Sequence, residues 1–166
     1  MMERSEKMDK VIMQLNNGLL YIAQAVLIVM VIIVTFDVIG RWFFGHPITG
    51  SVEITELGLS MVIFLSIAYT HLKREHITID FLVDKFPVKV QWVLESIINL
   101  LIAGLMILMG LSLFWYAQRL FISNTVTGDL GLPIYIFVGV SAVGAIVFSL
   151  TALLLTINSV KKVVER

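Results

Sequence analysis

The chain of 166 residues contains no cysteine. Disulfide bonds, thiolate metal sites, iron–sulfur clusters and the lipid anchors that require cysteine are therefore excluded. Its three histidines, His46, His71 and His76, lie outside the interiors of the long apolar runs, so no pair of them can hold a haem between helices. No serine in those runs has a histidine nearby, and nothing recommends an enzyme active site. Basic residues with interleaved aromatics are also missing, so nucleic acid is not an expected partner.

Four long apolar runs dominate what is present, and 58% of all residues are hydrophobic. The mean hydropathy of +0.96 leaves too little polar surface for a soluble domain. A helix needs about 20 residues to cross about 30 Å of hydrocarbon. Each run has about this length, and the predicted spans are residues 19–38, 52–69, 93–117 and 133–157. The sequence therefore predicts an all-α membrane protein, in which residues 1–166 form a single membrane domain with four transmembrane helices.

The basic residues predict how these spans are oriented. Ten of the twelve lysines and arginines precede the first run, separate the second from the third, or follow the fourth, and only Arg41 and Arg119 lie in the other two connections. Cytoplasmic loops carry such an excess, so we predict that both termini lie in the cytoplasm. The basic start and first run resemble a signal peptide, but the run is too long and lacks a small-residue cleavage site, so we expect it to be retained.

Two polar segments carry apolar residues in patterns typical of a membrane surface. A stripe of apolar residues within 1–18 predicts a short amphipathic helix that either lies on the cytoplasmic face or continues into the first span. Between the second and third spans, apolar and charged residues mix around Pro87, which suits a segment in the headgroup layer. We therefore predict a short amphipathic interfacial segment and contacts with membrane lipids.

The most informative polar cluster lies at the outer ends of the first two spans. Asp37 and Arg41 have the spacing of an ion pair one helical turn apart, Trp42 adjoins them as an interfacial aromatic residue, and Glu53 and Glu56 share one side of the second span. Ionisable groups this close to hydrocarbon usually face protein or water. The cluster predicts a polar lock between the two spans or with a partner. Two alternatives are a coupling site for protons or cations and a helix-end role for Glu53.

The connection after the second span contains His76 and Asp80, which lie one turn apart if this segment is helical. A metal site would need a third ligand at a suitable spacing, and none is present. We predict a hydrogen-bonded pair that orders this connection, and no metal.

Small residues recur along the last two spans and predict close packing of helices. The third span has them every seven residues and the fourth every four, and they are Ser96, Ala103, Gly110 and Ala117, then Ser141, Ala145 and Ser149. This spacing predicts a packed bundle with a surplus face for a partner.

Three motifs together make the chain resemble the small membrane subunit, of the DctQ type, of tripartite ATP-independent periplasmic (TRAP) transporters. The first is Asp37-x-x-x-Arg41 with aromatics and a short turn into Glu53-x-x-Glu56. The second is Lys73-Arg-Glu-His76-Ile-Thr-Ile-Asp80. The third runs from Gly128 through Leu132-Pro133-Ile134-Tyr135 to Gly139 and Gly144. The resemblance covers most of the chain, in the order of the four spans.

The resemblance implies a non-catalytic scaffold, in the bacterial inner membrane, without a cofactor of its own. Members pair with a large multi-span subunit that moves in an elevator-like manner and holds the substrate and the sodium ions. A periplasmic binding protein delivers the substrate, an organic acid of the C4-dicarboxylate or sialic acid class. The cluster at Asp37, the pair at His76, the small-residue seam of the third span and Pro133 would then have structural or partner-interface roles.

Other functions remain open from the residues alone. One is a self-sufficient four-span transporter that uses Glu56 as its coupling carboxylate. Another is a membrane anchor for an enzyme complex, and a third is an intramembrane enzyme. The sequence does not name the organic acid, because the residues that select it would lie in other chains.

Overall fold

The computed structural model describes residues 2–73 and 87–164, with side chains described for residues 10–73, 87 and 90–160. Within these ranges the chain forms four α-helices, and an isolated β-bridge pairs Val126 with Pro133. The helices are α1 (Met2–Phe44), α2 (Ser51–Leu72), α3 (Val88–Ile122) and α4 (Ile134–Val164). Each is long and apolar enough to cross a membrane. The prediction of an all-α protein with four such helices is therefore confirmed.

The observed helices are longer than the predicted spans, because residues that favour helical structure can continue a helix beyond the hydrocarbon layer. Residues 2–18 join the first span without a break, so α1 is one continuous helix of 43 residues. The segment 74–86, on which the predicted interfacial stretch between the second and third spans largely falls, lies outside the described residues.

The two short connections lie at one end of the molecule, here called the hairpin end; the opposite end, near Asn16, Leu72 and Val160, is called the terminal end. The first connection turns through two glycines in the left-handed region, Gly45 at φ 68° and Gly50 at φ 79°. At Gly50 a side chain would also collide with Leu130, whose Cδ2 would lie 2.7 Å from the added Cβ. The first connection is thus packed directly against the second.

Helix α4 is the central helix. More than half of its most apolar stretch (56%) is buried within the chain, against 11% for α1. The helices α1, α2 and α3 all pack against α4, and α1 packs along α2 as well. Phe148 of α4 lies in the core with Val147 and Ala68, and partly buried apolar side chains from the other three helices pack against them, namely Leu19, Ile67, Ile102 and Met106.

The buried residues of α1 form a seam with a seven-residue period, made of Asn16, Ala23, Met30 and Asp37. Met30 packs on Gly58 of α2, where an added Cβ would lie 2.9 Å from the Met30 Cγ. This spacing is typical of helices that cross at a shallow angle. The seam is apolar in its middle and polar at both ends.

The small residues of α3 and α4 lie where these two helices meet. Ala103 and Gly110 of α3 are buried, as are Ser141, Ala145 and Ser149 of α4. The Ser149 hydroxyl donates a hydrogen bond to the Ala103 carbonyl over 3.3 Å, and a Cβ at Gly110 would meet Ala145 and Ile146. Small side chains let two backbones approach closely. In the described chain this seam packs against α4, and Ser96, also on α3, is half-buried.

Candidate functional site

The Asp37 clamp joins the end of α1 to the start of α2. One carboxylate oxygen of Asp37 accepts a hydrogen bond from Arg41 Nη2 over 2.8 Å, and the other accepts one from the backbone N–H of Ile48 over 2.7 Å. The side chain of Ser51, the first residue of α2, lies close to the same carboxylate. The Asp37 residue is 6% exposed, whereas the Arg41 side chain is 61% exposed. The carboxylate, rather than the guanidinium, therefore organises this turn.

The Glu53 clamp joins α2 to the second connection. Its carboxylate accepts hydrogen bonds from the backbone N–H groups of Asp129, over 2.7 Å, and Leu130, over 3.0 Å. Gly128 lies beside the same carboxylate, since an added Cβ there would be 3.6 Å from Glu53 Oε1. Consecutive backbone N–H groups that converge in this way form a nest for an anion. Glu53 thus holds the loop that precedes α4.

The loop held by Glu53 is also closed on itself. The Thr127 N–H donates to the Leu132 carbonyl over 2.9 Å, and the Leu132 N–H donates to the Thr127 hydroxyl over 3.0 Å. Pro133 pairs with Val126 across this loop and accepts a hydrogen bond from the Ile136 N–H over 3.3 Å at the start of α4. The loop is therefore a compact unit that the Glu53 carboxylate attaches to α2.

The four residues grouped by the sequence occupy different positions. Asp37 and Arg41 form an ion pair, but Glu53 belongs to the second clamp, and Glu56 is exposed and has no hydrogen bond or ion pair with the described residues. Within the described residues Glu56 therefore takes no part in a lock with Asp37 and Arg41, and the alternative that this cluster contacts a partner stays a prediction. Residues three apart on a helix point about 60° away from each other, which is enough to send one carboxylate to the loop and leave the other outside.

We expect Glu53→Gln to release the loop at residues 127–130, because an ionised acceptor makes hydrogen bonds about twice as strong as a neutral one. The clamp uses the backbone N–H groups of Asp129 and Leu130, so the hydrogen exchange rates of these two amides report loop opening. We expect this exchange rate to rise roughly tenfold in Glu53→Gln. The matched control is Glu56→Gln on the same helix, which should leave the rate unchanged, and equal rates for both variants would contradict the clamp.

Two polar contacts inside the membrane helices were not anticipated from the sequence. At the terminal end, the fully buried Asn16 amide donates to the Thr151 hydroxyl of α4 and to the Ile12 carbonyl, both over 2.9 Å. In the same half of the molecule, His71 Nε2 and the Asn99 side-chain oxygen lie 2.9 Å apart and join α2 to α3. The available signal was an asparagine within a strongly apolar helix, since buried amides need partners.

The remaining predicted residues are distributed as follows. Trp42 is 81% exposed, and its ring contacts that of Phe43 edge to face. The Ser96 hydroxyl donates to the Trp92 carbonyl of its own helix over 2.8 Å. His76 and Asp80 lie outside the described residues, so the pairing proposed for them stays a prediction. Among the residues that are described, no group of three side chains could hold a metal ion.

A groove of about 390 Å³ lies between α3 and α4 near the hairpin end. It is almost wholly apolar, and it is lined by Phe114, Phe121, Tyr135, Ala142, Val143 and Ile146, among others. It offers no charged group to a polar substrate. Near the two ends of the molecule, Asp37, Glu53, Asn16 and His71 instead hold connections or join one helix to another.

Comparison with known proteins agrees with this architecture. The family described as "Tripartite ATP-independent periplasmic transporters, DctQ component" matches residues 30–162, which include the last third of α1, all of α2 and α3, and the central helix α4 except its last two residues. A comparison with curated proteins found no match. The match includes both carboxylate clamps and most of the helix packing, so the resemblance seen in the motifs is confirmed. The chain belongs to the DctQ family, the small membrane component of TRAP transporters.

Proposed function

We propose that this chain is a non-catalytic scaffold that widens and anchors the large, elevator-type subunit of a TRAP transporter. The large subunit would hold the sodium ions and use their gradient to take up an organic acid of the C4-dicarboxylate or sialic acid class. A periplasmic binding protein would deliver that acid. The small subunit itself would need no cofactor and would carry no substrate.

The observation that carries the proposal is the way the polar groups are used. Asp37 and Glu53 hold connections, Asn16 and His71 join helices, and α4 fills the centre of the chain. A transport path needs ionisable or polar groups along a cavity at the middle of the membrane. The groove between α3 and α4 is apolar and suits lipid or a helix better than an organic acid.

The charge distribution supports an orientation with the terminal end in the cytoplasm. Lysines and arginines are concentrated in the first ten residues, at the start of α1, around the connection between α2 and α3, and near the end of α4. The hairpin end carries only Arg41 and Arg119. By the positive-inside rule the terminal end would face the cytoplasm of the bacterial inner membrane, and the two clamped connections would face the periplasm and the binding protein.

Reconstitution tests this function directly. We expect proteoliposomes that contain this chain alone to show no sodium-driven uptake of organic acids, because a scaffold subunit carries no substrate itself. Vesicles with both subunits and the binding protein should take up the acid, and collapse of the sodium gradient should abolish that uptake. Uptake by this chain alone would contradict the proposal. Its loss in Glu56→Gln would then support the self-sufficient transporter.

A further inference from the structure

Gln24 lies close to the middle of the membrane. Asp37 of α1 meets Ser51 of α2, and Met30, seven residues earlier, meets Gly58, seven residues later. By the same antiparallel register, Gln24 is level with Phe64, near the midpoint of the 22-residue helix α2. A helix of that length spans about 33 Å, close to the thickness of the hydrocarbon layer. Gln24 is therefore only a few ångströms from the midplane.

Gln24 also points away from its own chain. The seam of α1 that faces the other helices contains Asn16, Ala23 and Met30. At about 100° per residue, Gly18, Tyr21, Gln24, Ala25 and Ile28 fall on the opposite side and its flank, here called the outward face of α1. All five are exposed, Tyr21 by 71%, and nothing lies within 4 Å of the position of a Cβ at Gly18.

The Gln24 carboxamide makes no hydrogen bond with any described residue. A glutamine offers two donors and two acceptor lone pairs, and lipid tails can satisfy none of them. Short hydroxyl side chains such as Thr35, which donates to the Val31 carbonyl over 2.7 Å, can bond to their own helix. An unpaired amide at this depth requires a protein partner in the membrane.

We propose that a transmembrane helix of the large subunit packs on the outward face of α1 and hydrogen-bonds to Gln24 near the midplane. The inference rests on the proposed function, because it assigns this surface to the large subunit. The small residues Gly18 and Ala25 lie on the outward face beyond Gln24 and would let the backbone of that helix approach closely. The partner helix carries a hydroxyl, an amide or an exposed carbonyl opposite Gln24, which no lipid supplies.

The exposed side of α3 is rich in large apolar side chains and serves as the comparison surface. Leu101, Leu105, Leu108 and Trp115 are each more than 60% exposed on it, and the exposed residues Gly104 and Ser112 lie among them. Large apolar side chains of this kind suit lipid tails. We therefore expect this surface to face lipid.

Site-specific photocross-linking of the assembled complex in native membranes tests the position of the partner. A photoreactive phenylalanine analogue replaces Tyr21 in one variant and Trp115 in the other, two exposed aromatic positions on α1 and α3. We expect an adduct with the large subunit from position 21 and none from position 115. An adduct from position 115 alone, or from position 21 only with a second copy of this chain, would overturn the proposal.

Substitutions on the outward face test the hydrogen bond and the close approach. We expect Gln24→Leu to weaken binding of the large subunit in nanodiscs about three- to tenfold, the effect of losing one interhelical hydrogen bond. Gly18→Leu should weaken it at least as much, although no contact within the chain is disturbed. The control Ser112→Ala, at an exposed position of α3, should bind normally, and the thermal unfolding of the isolated variants should be unchanged.

The outcomes separate the inference from the function on which it rests. Normal binding by Gln24→Leu and Gly18→Leu, with an unmodified chain that binds and supports uptake, overturns the assignment of this surface and leaves the proposed function intact. Failure of the unmodified chain to bind the large subunit in the same nanodiscs overturns both.

Discussion

Replacing Gly144 with leucine is expected to cause the largest loss of stability of any single substitution discussed for this chain. Gly144 of α4 lies against the backbone of α2, and a Cβ there would come within 2.7 Å of the Phe64 carbonyl carbon and 3.2 Å of the Leu65 nitrogen. A flexible side chain could move aside, but helix backbones cannot do so without separating α2 from α4. Overpacking in cores usually costs about 1–3 kcal/mol, and we expect at least the upper part of that range.

The free energy of unfolding in mixed micelles, followed by far-ultraviolet circular dichroism, measures this effect. The matched control is Gly104→Leu, because Gly104 is an exposed glycine of α3 with nothing within 4 Å of its Cβ position. We expect the control to unfold like the unmodified chain. If Gly144→Leu and Gly104→Leu unfolded at the same detergent concentration, the close approach of α2 and α4 would be contradicted.

The second large effect is expected for Asp37→Ala. The substitution removes the acceptor for both the Ile48 N–H and the Arg41 guanidinium at once. Hydrogen bonds to charged groups typically contribute about 1.5–3 kcal/mol each, whereas exposed ion pairs contribute about 0–1 kcal/mol. We therefore expect the hairpin between α1 and α2 to loosen and the chain to unfold at lower detergent concentration.

Comparison with Arg41→Met isolates the origin of that loss. The methionine keeps the apolar part of the side chain and removes only the exposed ion pair with Asp37. We expect Asp37→Ala to destabilise the chain several times more than Arg41→Met. Equal destabilisation by the two variants would show that the ion pair, and not the hydrogen bonds to the turn, holds the hairpin.

The candidate site shows which contacts can be predicted from the spacing of residues in the sequence and which cannot. Asp37 and Arg41 lie one turn apart on one helix, so their pairing follows from helical geometry alone, and the structure contains it. Glu53 bonds to residues more than seventy positions away, and no local pattern encodes which carboxylate meets that loop. The same holds for Asn16 and Thr151, which are 135 residues apart.

The sequence by itself determined the four membrane helices and the family, because the cost of placing polar backbone and charge in hydrocarbon dictates the length and order of apolar runs. It also determined the small-residue seams, since close packing needs small side chains at a helical spacing. Only the tertiary structure decided that α4 is central, that the carboxylates at the hairpin end form two clamps, and that Gln24 faces outward without a partner among the described residues. Those features depend on how each helix is rotated about its axis and which neighbour it meets. Because apolar residues lie on nearly all sides of each helix, their spacing in the sequence carries little information about how the helix is rotated.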